Sequence, residues 1–237
     1  MREKLKWLPQ QYMLDVLDEN PKLARYHEGN GYCAVLFGHY LFIGGRCDPE
    51  AARFLTEHML AHFITFVYCP DDAWKKAIRE MVPDATKNRR ALYAVKPYRS
   101  PDSDGRIIRV GSADLGQYAG VDVFIDEVVG TATYNSMDDF FARGIGIAPL
   151  IDGRLSGFCT SEYPSRGKCA IGIMVEEPHR GQGIAKAMTR AFLSAACDRE
   201  IETVYWECEA ENAASYKTAL ACGFHQIASY EALVIRR

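Results

Sequence analysis

The stretch from residue 169 to residue 185, CAIGIMVEEPHRGQGIA, constrains the fold more than any other part of this sequence. Isoleucine and valine alternate with other residues over 171–175, and β-branched residues at period two are typical of a strand. Pro178 ends the strand pattern, and a glycine-rich turn follows it. From about 183 to 199 the apolar residues repeat at helical spacing. The sequence therefore predicts a strand, a tight turn and a helix in direct succession.

The turn in this stretch has the composition of an anion-binding site. The first amides of a helix have no intrahelical partner, and the helix dipole adds partial positive charge beside them. Gly181 and Gly183 have no Cβ, so their backbone can take unusual φ values and approach a bulky phosphate closely. Arg180 adds a charged group with several donors. The same residues also fit a helix that merely begins after a glycine turn, with Arg180 exposed to solvent.

The motif R-x-x-G-x-A, formed by Arg180, Gly183 and Ala185, resembles the pyrophosphate loop of the GNAT N-acetyltransferase superfamily. A second match follows in the expected order. A short β-rich run at 203–206 precedes a sequence of the form N-x-x-[AS] beginning at Asn212, and a terminal G-F comes after it. Two motifs in this order make a chance match improbable.

A narrower resemblance is to a bacterial GNAT subfamily with an extra N-terminal region. It rests on DDFFARGIG at 138–146, on the strand and loop at 172–185, and on W-x-C-x-x-x-N-x-x-S at 206–215. The resemblance covers roughly residues 105–237, and the first hundred residues match only loosely.

The resemblance implies an α/β (α+β) fold with a mixed, mostly antiparallel central sheet flanked by helices, the acyl-CoA N-acyltransferase fold. The dipeptide Asp152-Gly153 predicts a hairpin just before the organising strand. Residues 98–106, YRSPDSDGR, have the composition of a linker. We therefore expect an N-terminal α/β domain over 1–104 and a GNAT domain over 105–237. The N-terminal domain is a candidate degenerate copy of the second, although the sequence contains no clear internal repeat.

Hydrophobic periodicity and turn residues also predict the elements around the organising stretch. In order along the chain these are one or two helical segments over 1–29 broken at Pro21, a hairpin over 32–43, a helix after Asp48, a strand at 63–68, a helix over 71–82, strands at 91–95 and 107–110, a helix capped near Ser112, and an amphipathic helix over 135–143.

Composition limits the classes of partner. With 48% hydrophobic residues, 25% charged residues and a net charge of −3, nothing indicates nucleic-acid binding. The first twenty residues lack the apolar core of a signal peptide, and no stretch is apolar for the length of a membrane span, so we expect a cytoplasmic protein. We expect the eight cysteines to be reduced thiols. We expect no metal site either, because the cysteines and histidines, including His58 and His62, lack zinc-ligand context.

The superfamily resemblance implies direct transfer of an acetyl group from acetyl-CoA to an amine. The backbone of the strand would bind the pantetheine arm, the glycine-rich loop would bind the pyrophosphate, and an asparagine would fix the far end of the arm. The cofactor-binding residues implied in this way are Ile173, Met174, Val175, Arg180, Gly181, Gln182, Gly183, Ile184, Ala185 and Asn212.

The catalytic groups are less clearly marked. The attacking amine must be neutral, so a carboxylate or an ordered water has to remove its proton. Glu176 and Glu177 follow the strand and point to opposite faces. We prefer Glu176, because it shares parity with Met174, although either acid also fits a solvated strand end. Further candidates are Glu207, Glu209 and His179.

The general acid departs from the superfamily pattern. Many members carry a tyrosine seven residues after the asparagine, and that position here is Ala219. Tyr216 lies three residues earlier on the same predicted helix and is the candidate substitute, although it equally fits a packed helix aromatic. A CoA thiolate has a low enough pKa to leave without an acid.

Three functions remain open at this stage. An N-acetyltransferase with an unidentified amine acceptor is the preferred one. A non-catalytic acyl-CoA-binding sensor or partner-binding module is the alternative, which Ala219 favours. A nucleotide-binding protein is the third, although no G-K-[ST] follows the loop. The sequence leaves the acceptor and the oligomeric state open.

Overall fold

The computed structural model describes residues 1–19, 24–58, 65–101, 104–131 and 133–236. The chain forms two compact units. The first comprises Met1–Ala91, Glu209–Glu211 and Ala228–Arg237, and the second comprises Leu92–Cys208 and Asn212–Ile227. These ranges differ from the expected domains 1–104 and 105–237, since the first unit also includes the C-terminal segment. The assignment of residues 1–104 as a separate domain stays a prediction.

The first unit is a mixed sheet with helices. Its elements are a 3₁₀ turn at Arg2–Leu5, α1 (Tyr12–Glu19), β1 (Ala24–Glu28), β2 (Tyr32–Phe37), β3 (Tyr40–Gly45), α2 (Pro49–His58), β4 (Thr65–Tyr68), α3 (Asp72–Met81), β5 (Thr86–Val95) as far as Ala91, and β12 (His225–Ile235) from Ala228 onward. The strand order is β1-β2-β3-β4-β12-β5. The β1–β2, β2–β3 and β4–β12 pairs are antiparallel, and β3 and β4 are parallel.

The helical prediction for residues 1–29 is partly wrong. The 3₁₀ turn and α1 are helical, but residues 24–28 form β1, which pairs with β2 from Ala24↔Phe37 to Glu28↔Cys33. The apolar spacing of a short segment does not by itself exclude a strand, and here the neighbouring hairpin supplies a backbone edge for pairing. The proposed break at Pro21 and the second histidine, His62, lie outside the described residues. The predicted hairpin, α2, α3 and β4 are confirmed where the structure describes them.

The second unit contains the organising stretch. Its elements are the end of β5, β6 (Ile107–Arg109), a 3₁₀ turn at Ser112–Gly116, α4 (Val121–Gly130), α5 (Met137–Arg143), β7 (Gly146–Ile151), β8 (Arg154–Leu155), β9 (Gly157–Ser165), β10 (Lys168–Val175), a 3₁₀ turn at Glu177–His179, α6 (Ile184–Asp198), β11 (Thr203–Glu209) as far as Cys208, α7 (Ala213–Ala221) and the start of β12. The strand order is β6-β7-β9-β10-β11-β5.

The predicted strand, turn and helix are present as β10, the loop after it and α6. The hairpin at Asp152-Gly153 is also confirmed, because both residues have positive φ values, 49° and 75°, and they join β7 to β8. The prediction that a helix begins near Ser112 is wrong. Ser112 begins the 3₁₀ turn, and α4 begins later, after Gly120 in the left-handed conformation.

The helix α4 covers one face of this sheet. Phe124 and Val128 of α4 belong to one apolar cluster with Phe158 of β9, and Met174 of β10 packs against it. Because side chains alternate along a strand, the even-numbered residues of β9 and β10 near this cluster point to the α4 face. None of the helices in the described residues has the length and apolar character that a membrane crossing requires.

Candidate active site

The parallel strands β10 and β11 pair over a short distance and then separate. Their register runs from Lys168↔Thr203 to Ala170↔Tyr205. On its other side, β10 stays paired with β9 as far as Val175↔Gly157. The amide of Glu176 also donates to that side, to the carbonyl of Ser156 at 3.0 Å. In an antiparallel ladder successive residues alternate in direction, so the backbone groups of Ile173 and Val175 face the gap, whereas those of Met174 face β9.

The loop after β10 is shaped by two glycines. Gly181 and Gly183 have φ values of 77° and 81°, a conformation that L side chains rarely adopt. A Cβ at either position would meet no described atom within 4 Å, so the space beside the loop backbone is open. The Nε of Arg180 donates to the carbonyl of Val175 at 2.9 Å, which ties the loop to the end of β10. Arg180 itself is exposed, so its guanidinium can also contact a ligand.

The start of α6 presents unused amides. In the described part of the chain, no side chain caps the helix at Gly183, and the backbone amides from Gly181 to Lys186 donate to no protein acceptor. The first residue of the helix, Ile184, is buried and anchors it, while Gln182 and Lys186 are exposed. Unsatisfied amides, the positive end of a helix dipole and a basic side chain together form a site for an anion such as a diphosphate.

The segment after β11 is held by side-chain hydrogen bonds. The Oδ1 of Asn212 accepts from the amide of Ser215 at 3.0 Å and so caps α7. The indole of Trp206 donates to the Oγ of Ser215 at 2.9 Å. Ala219 is fully buried, whereas Tyr216 is half-buried. The motif residues of this segment therefore fix the start of α7 beside the end of β11.

The preferred base candidate, Glu176, forms an ion pair. Its Oε1 lies 2.9 Å from a guanidinium nitrogen of Arg154, and both side chains are partly exposed. Glu177 is exposed in the 3₁₀ turn. Within the described residues, the hydroxyl of Tyr216 makes no hydrogen bond to Glu176. The structure therefore places the candidate cofactor residues from Ile173 to Ala185 on one continuous strand, loop and helix start, but it does not join the two candidate catalytic side chains.

A pair of carboxylates that the sequence reasoning missed lies against β10. Glu127 of α4 and Glu162 of β9 share a hydrogen bond, and burial followed by the charge of Glu127 raises the pKa of Glu162 well above its ordinary value. A Cβ at Gly172 would clash with Oε1 of Glu162 and would lie 2.7 Å from Oε1 of Glu127. Gly172 was the available signal, since a glycine inside a strand often marks a close approach.

The fold that carries these features is shared by solved structures of acetyltransferases. The structure of a GCN5-related N-acetyltransferase-like protein from Streptococcus suis 89/1591 has a similar fold, with a TM-score of 0.75, 18% identity and coverage of 98% of this chain and 95% of that one. A GCN5-related N-acetyltransferase from Kribbella flavida aligns with a TM-score of 0.60 and 14% identity over 93% and 92% of the two chains.

The family model described as GNAT acetyltransferase matches residues 24–233, and the chain belongs to this family of acyltransferases. The uncharacterized N-acetyltransferase YdfB of Bacillus subtilis strain 168 is 21% identical over a 234-residue alignment, and the match covers 92% of this chain and 88% of that protein. The family match extends well before residue 105, so it includes much of the N-terminal region that the motifs left unassigned.

Proposed function

We propose that this protein transfers the acetyl group of acetyl-CoA directly to an amine. The observation that carries the proposal is the combination of two features of the second unit: β10 separates from β11, and the start of α6 presents amides without acceptors. The gap offers main-chain hydrogen bonds to an extended polyamide arm, and the loop offers donors and charge to a diphosphate. Coenzyme A contains both groups in one molecule.

The residues fit this donor in a defined order along the chain. The backbone groups of Ile173 and the amide of Val175 would hydrogen-bond the pantetheine arm, and Arg180 together with the backbone amides of residues 181–185 would hold the pyrophosphate. Met174 would contribute its side chain, because its backbone groups pair with β9. Asn212 would contact the arm from the start of α7. When bound, the donor supplies an acyl group activated as a thioester.

The chemistry requires a neutral amine and tolerates the absence of a general acid. Glu176 stays a proposed base, and its carboxylate forms an ion pair with Arg154. Tyr216 stays a proposed acid because it is on the same helix as Ala219, which is buried and bears no hydroxyl. Since a CoA thiolate leaves readily, transfer does not depend on this acid.

We infer that the first unit is a degenerate copy of the second. In each unit an antiparallel three-stranded meander is followed by a helix, by a strand parallel to the last strand of the meander, and by another helix. These elements are β1-β2-β3-α2-β4-α3 in the first unit and β7-β9-β10-α6-β11-α7 in the second. In the first unit the parallel pairing runs from Tyr40↔Phe66 to Phe42↔Tyr68 and then ends.

The corresponding place in the first unit is filled by the chain itself. The carbonyl of Ile43 accepts from the indole of Trp7 at 3.1 Å, and the carbonyl of Gly45 accepts from the indole of Trp74 at 2.9 Å. The start of α2 is also occupied, because the carboxylate of Asp48 accepts from amides there. A helix start with an acidic cap does not attract an anion. We therefore expect one acetyl-CoA site per chain.

A cytoplasmic location is part of the proposal. The eight cysteines form no disulfide in the structure, and most are buried. Burial raises the pKa of Cys69 to about 12, which keeps its thiol protonated and unreactive. Reduced thiols of this kind are typical of a reducing compartment.

The test combines binding with turnover. Calorimetric titration of the full chain with CoA should give a stoichiometry of one, and incubation with radiolabelled acetyl-CoA and a library of amines should label at least one acceptor. Failure to bind CoA would refute the proposed function. Binding without transfer to any amine would instead favour the alternative, a non-catalytic acyl-CoA sensor. Two equivalent CoA sites would contradict the inference about the first unit.

A further inference from the structure

The unassigned feature of the second unit is the carboxylate pair formed by Glu127 and Glu162. The two side chains come from different elements, α4 and β9, and their Oε1 atoms meet over the Cα of Gly172 on β10. They hydrogen-bond to each other, so one of the two carboxyl groups carries a proton. A third acid, Glu207 of β11, lies on the same face, since Tyr205 pairs with Ala170 and side chains two residues apart share a face.

The surroundings of the pair are uniformly unfavourable to its full ionisation. Burial contributes most to the raised pKa of Glu162, followed by the charge and hydrogen bond of Glu127 and then by the charge of Glu207. Three further titratable groups are close enough to interact with Glu162. These are Tyr134, Cys159 and Cys169, whose pKa values are themselves raised, chiefly by burial, so they stay neutral and add no positive charge.

A buried hydroxyl completes the cluster. Thr160 lies directly opposite Gly172 in the β9–β10 register and two residues before Glu162 on β9. Its side chain therefore points to the same face of the sheet as that of Glu162. It is 1% exposed, and among the residues that the structure describes its Oγ1 has no hydrogen-bond partner. A buried polar atom without a partner is destabilising, so it is rarely retained without a use.

We propose that Glu127, Glu162 and Thr160 form the acceptor site of the enzyme and recognise the primary ammonium group of a cationic amine. This inference rests on the proposed acetyl transfer and adds its acceptor class. An ammonium has three N–H donors and no acceptor, and the cluster offers two carboxylates and one hydroxyl. A metal ion fits less well, because in the described part of the chain no three acidic, histidine or cysteine side chains converge as metal ligands do.

The site also lies where the reaction needs it. Gly172 is adjacent to Ile173, whose backbone faces the gap between β10 and β11 proposed for the donor. When the ammonium group enters, its positive charge compensates the two carboxylates in place of the shared proton. The shared proton then leaves to solvent. In this scheme the ionised pair, in place of Glu176, accepts a proton from the ammonium nitrogen. The nitrogen lone pair forms the new N–C bond and the acyl C–S bond breaks. The nitrogen then loses its second proton to solvent, and the departing thiolate takes one proton from solvent, so the products are a neutral amide and a thiol.

The test uses isosteric variants of the full chain, Glu162→Gln, Glu127→Gln and Thr160→Val. Asp126→Asn is the matched control, because it removes the same charge from the exposed face of α4, next to Glu127. Binding of a panel of primary amines, from monoamines to polyamines, and of alcohols with the same carbon skeletons is measured by calorimetry in two buffers of different ionisation enthalpy. Transfer is then measured as kcat/KM against pH, with CoA affinity as the check on folding.

The wild type should bind at least one amine in preference to its alcohol analogue and release about one proton near neutral pH. Glu162→Gln should abolish the proton release and lower kcat/KM about 100-fold, the lower end of what a general base contributes. Glu127→Gln should have a similar effect and Thr160→Val a smaller one in KM, while Asp126→Asn and all CoA affinities stay unchanged.

Three outcomes overturn the acceptor site: no amine binds, an amine binds without proton release, or Glu162→Gln keeps the wild-type pH profile and kcat/KM. Loss of CoA binding by the wild type refutes the proposed transfer instead. Amine binding with proton release that depends on Glu162 would still support the site in that case, so the two proposals fail separately.

Discussion

Replacing Gly183 by aspartate tests the anion site at the start of α6, and Gly153→Asp is its matched control. The two glycines have similar φ values, 81° and 75°, and a Cβ at either would meet no described atom within 4 Å. Each replacement therefore adds one negative charge and forces the same left-handed conformation on a side chain. One glycine lies in the proposed cofactor loop, and the other lies in the tight hairpin between β7 and β8.

The expected cost in stability is the same for both variants. A left-handed conformation costs an L residue about 1–2 kcal/mol, and less for aspartate, which tolerates it better than most residues. Both melting temperatures should therefore fall by a few degrees. The expected cost in binding differs. A carboxylate about 5 Å from a phosphate charge, at an effective dielectric constant of about 20, is repelled by about 3 kcal/mol. We therefore expect CoA binding to Gly183→Asp to weaken about 100-fold.

The assay is calorimetric titration of CoA into both variants, with thermal melting measured in parallel. Gly153→Asp should keep the wild-type affinity. If Gly183→Asp binds CoA as tightly as its control at the same melting temperature, the amides at the start of α6 do not hold the diphosphate and the reasoning is wrong. Raising the salt concentration should reduce the difference, because an exposed charge is screened.

Further predictions concern single side chains of the second unit. Arg180→Ala should weaken CoA binding about tenfold, less at high salt, because it removes an exposed guanidinium; an unchanged affinity would exclude Arg180 from the anion site. Above neutral pH, Glu162→Gln should be more stable than the wild type by about 1.4 kcal/mol for each unit by which folding raises the carboxyl pKa. Near pH 4 this difference should be absent. A carboxyl group with a raised pKa in the folded state contributes stability below its unfolded pKa, and this contribution is lost as the pH rises through the folded pKa. Denaturant titration at several pH values measures the sign of the difference between the two proteins. Ala219→Tyr should lower stability by about 1–3 kcal/mol without raising the transfer rate, because the position is fully buried; a faster variant would show that an acid is limiting.

Local sequence patterns were sufficient where a feature is built from consecutive residues. The alternation over 171–175, the proline and the glycines that follow, and the helical spacing after residue 183 each act within a few residues, so β10, its loop and α6 were predictable. The turn at Asp152-Gly153 was predictable for the same reason, since the backbone preferences of those two residues determine the hairpin. Where the outcome depends on a partner strand, as for β1, the pattern of the segment itself was ambiguous.

The sequence by itself determined the family motifs and the anion-binding turn, because each is encoded in a contiguous run of residues. Only the tertiary structure decided which acids can act together. The register of β9 on β10 and the packing of α4 bring Glu162 and Glu127 to Gly172, and the folded hairpin brings Arg154 to Glu176. The charge and pKa of a carboxyl group depend on neighbours that are close in space and distant along the chain, so no local pattern contains that information.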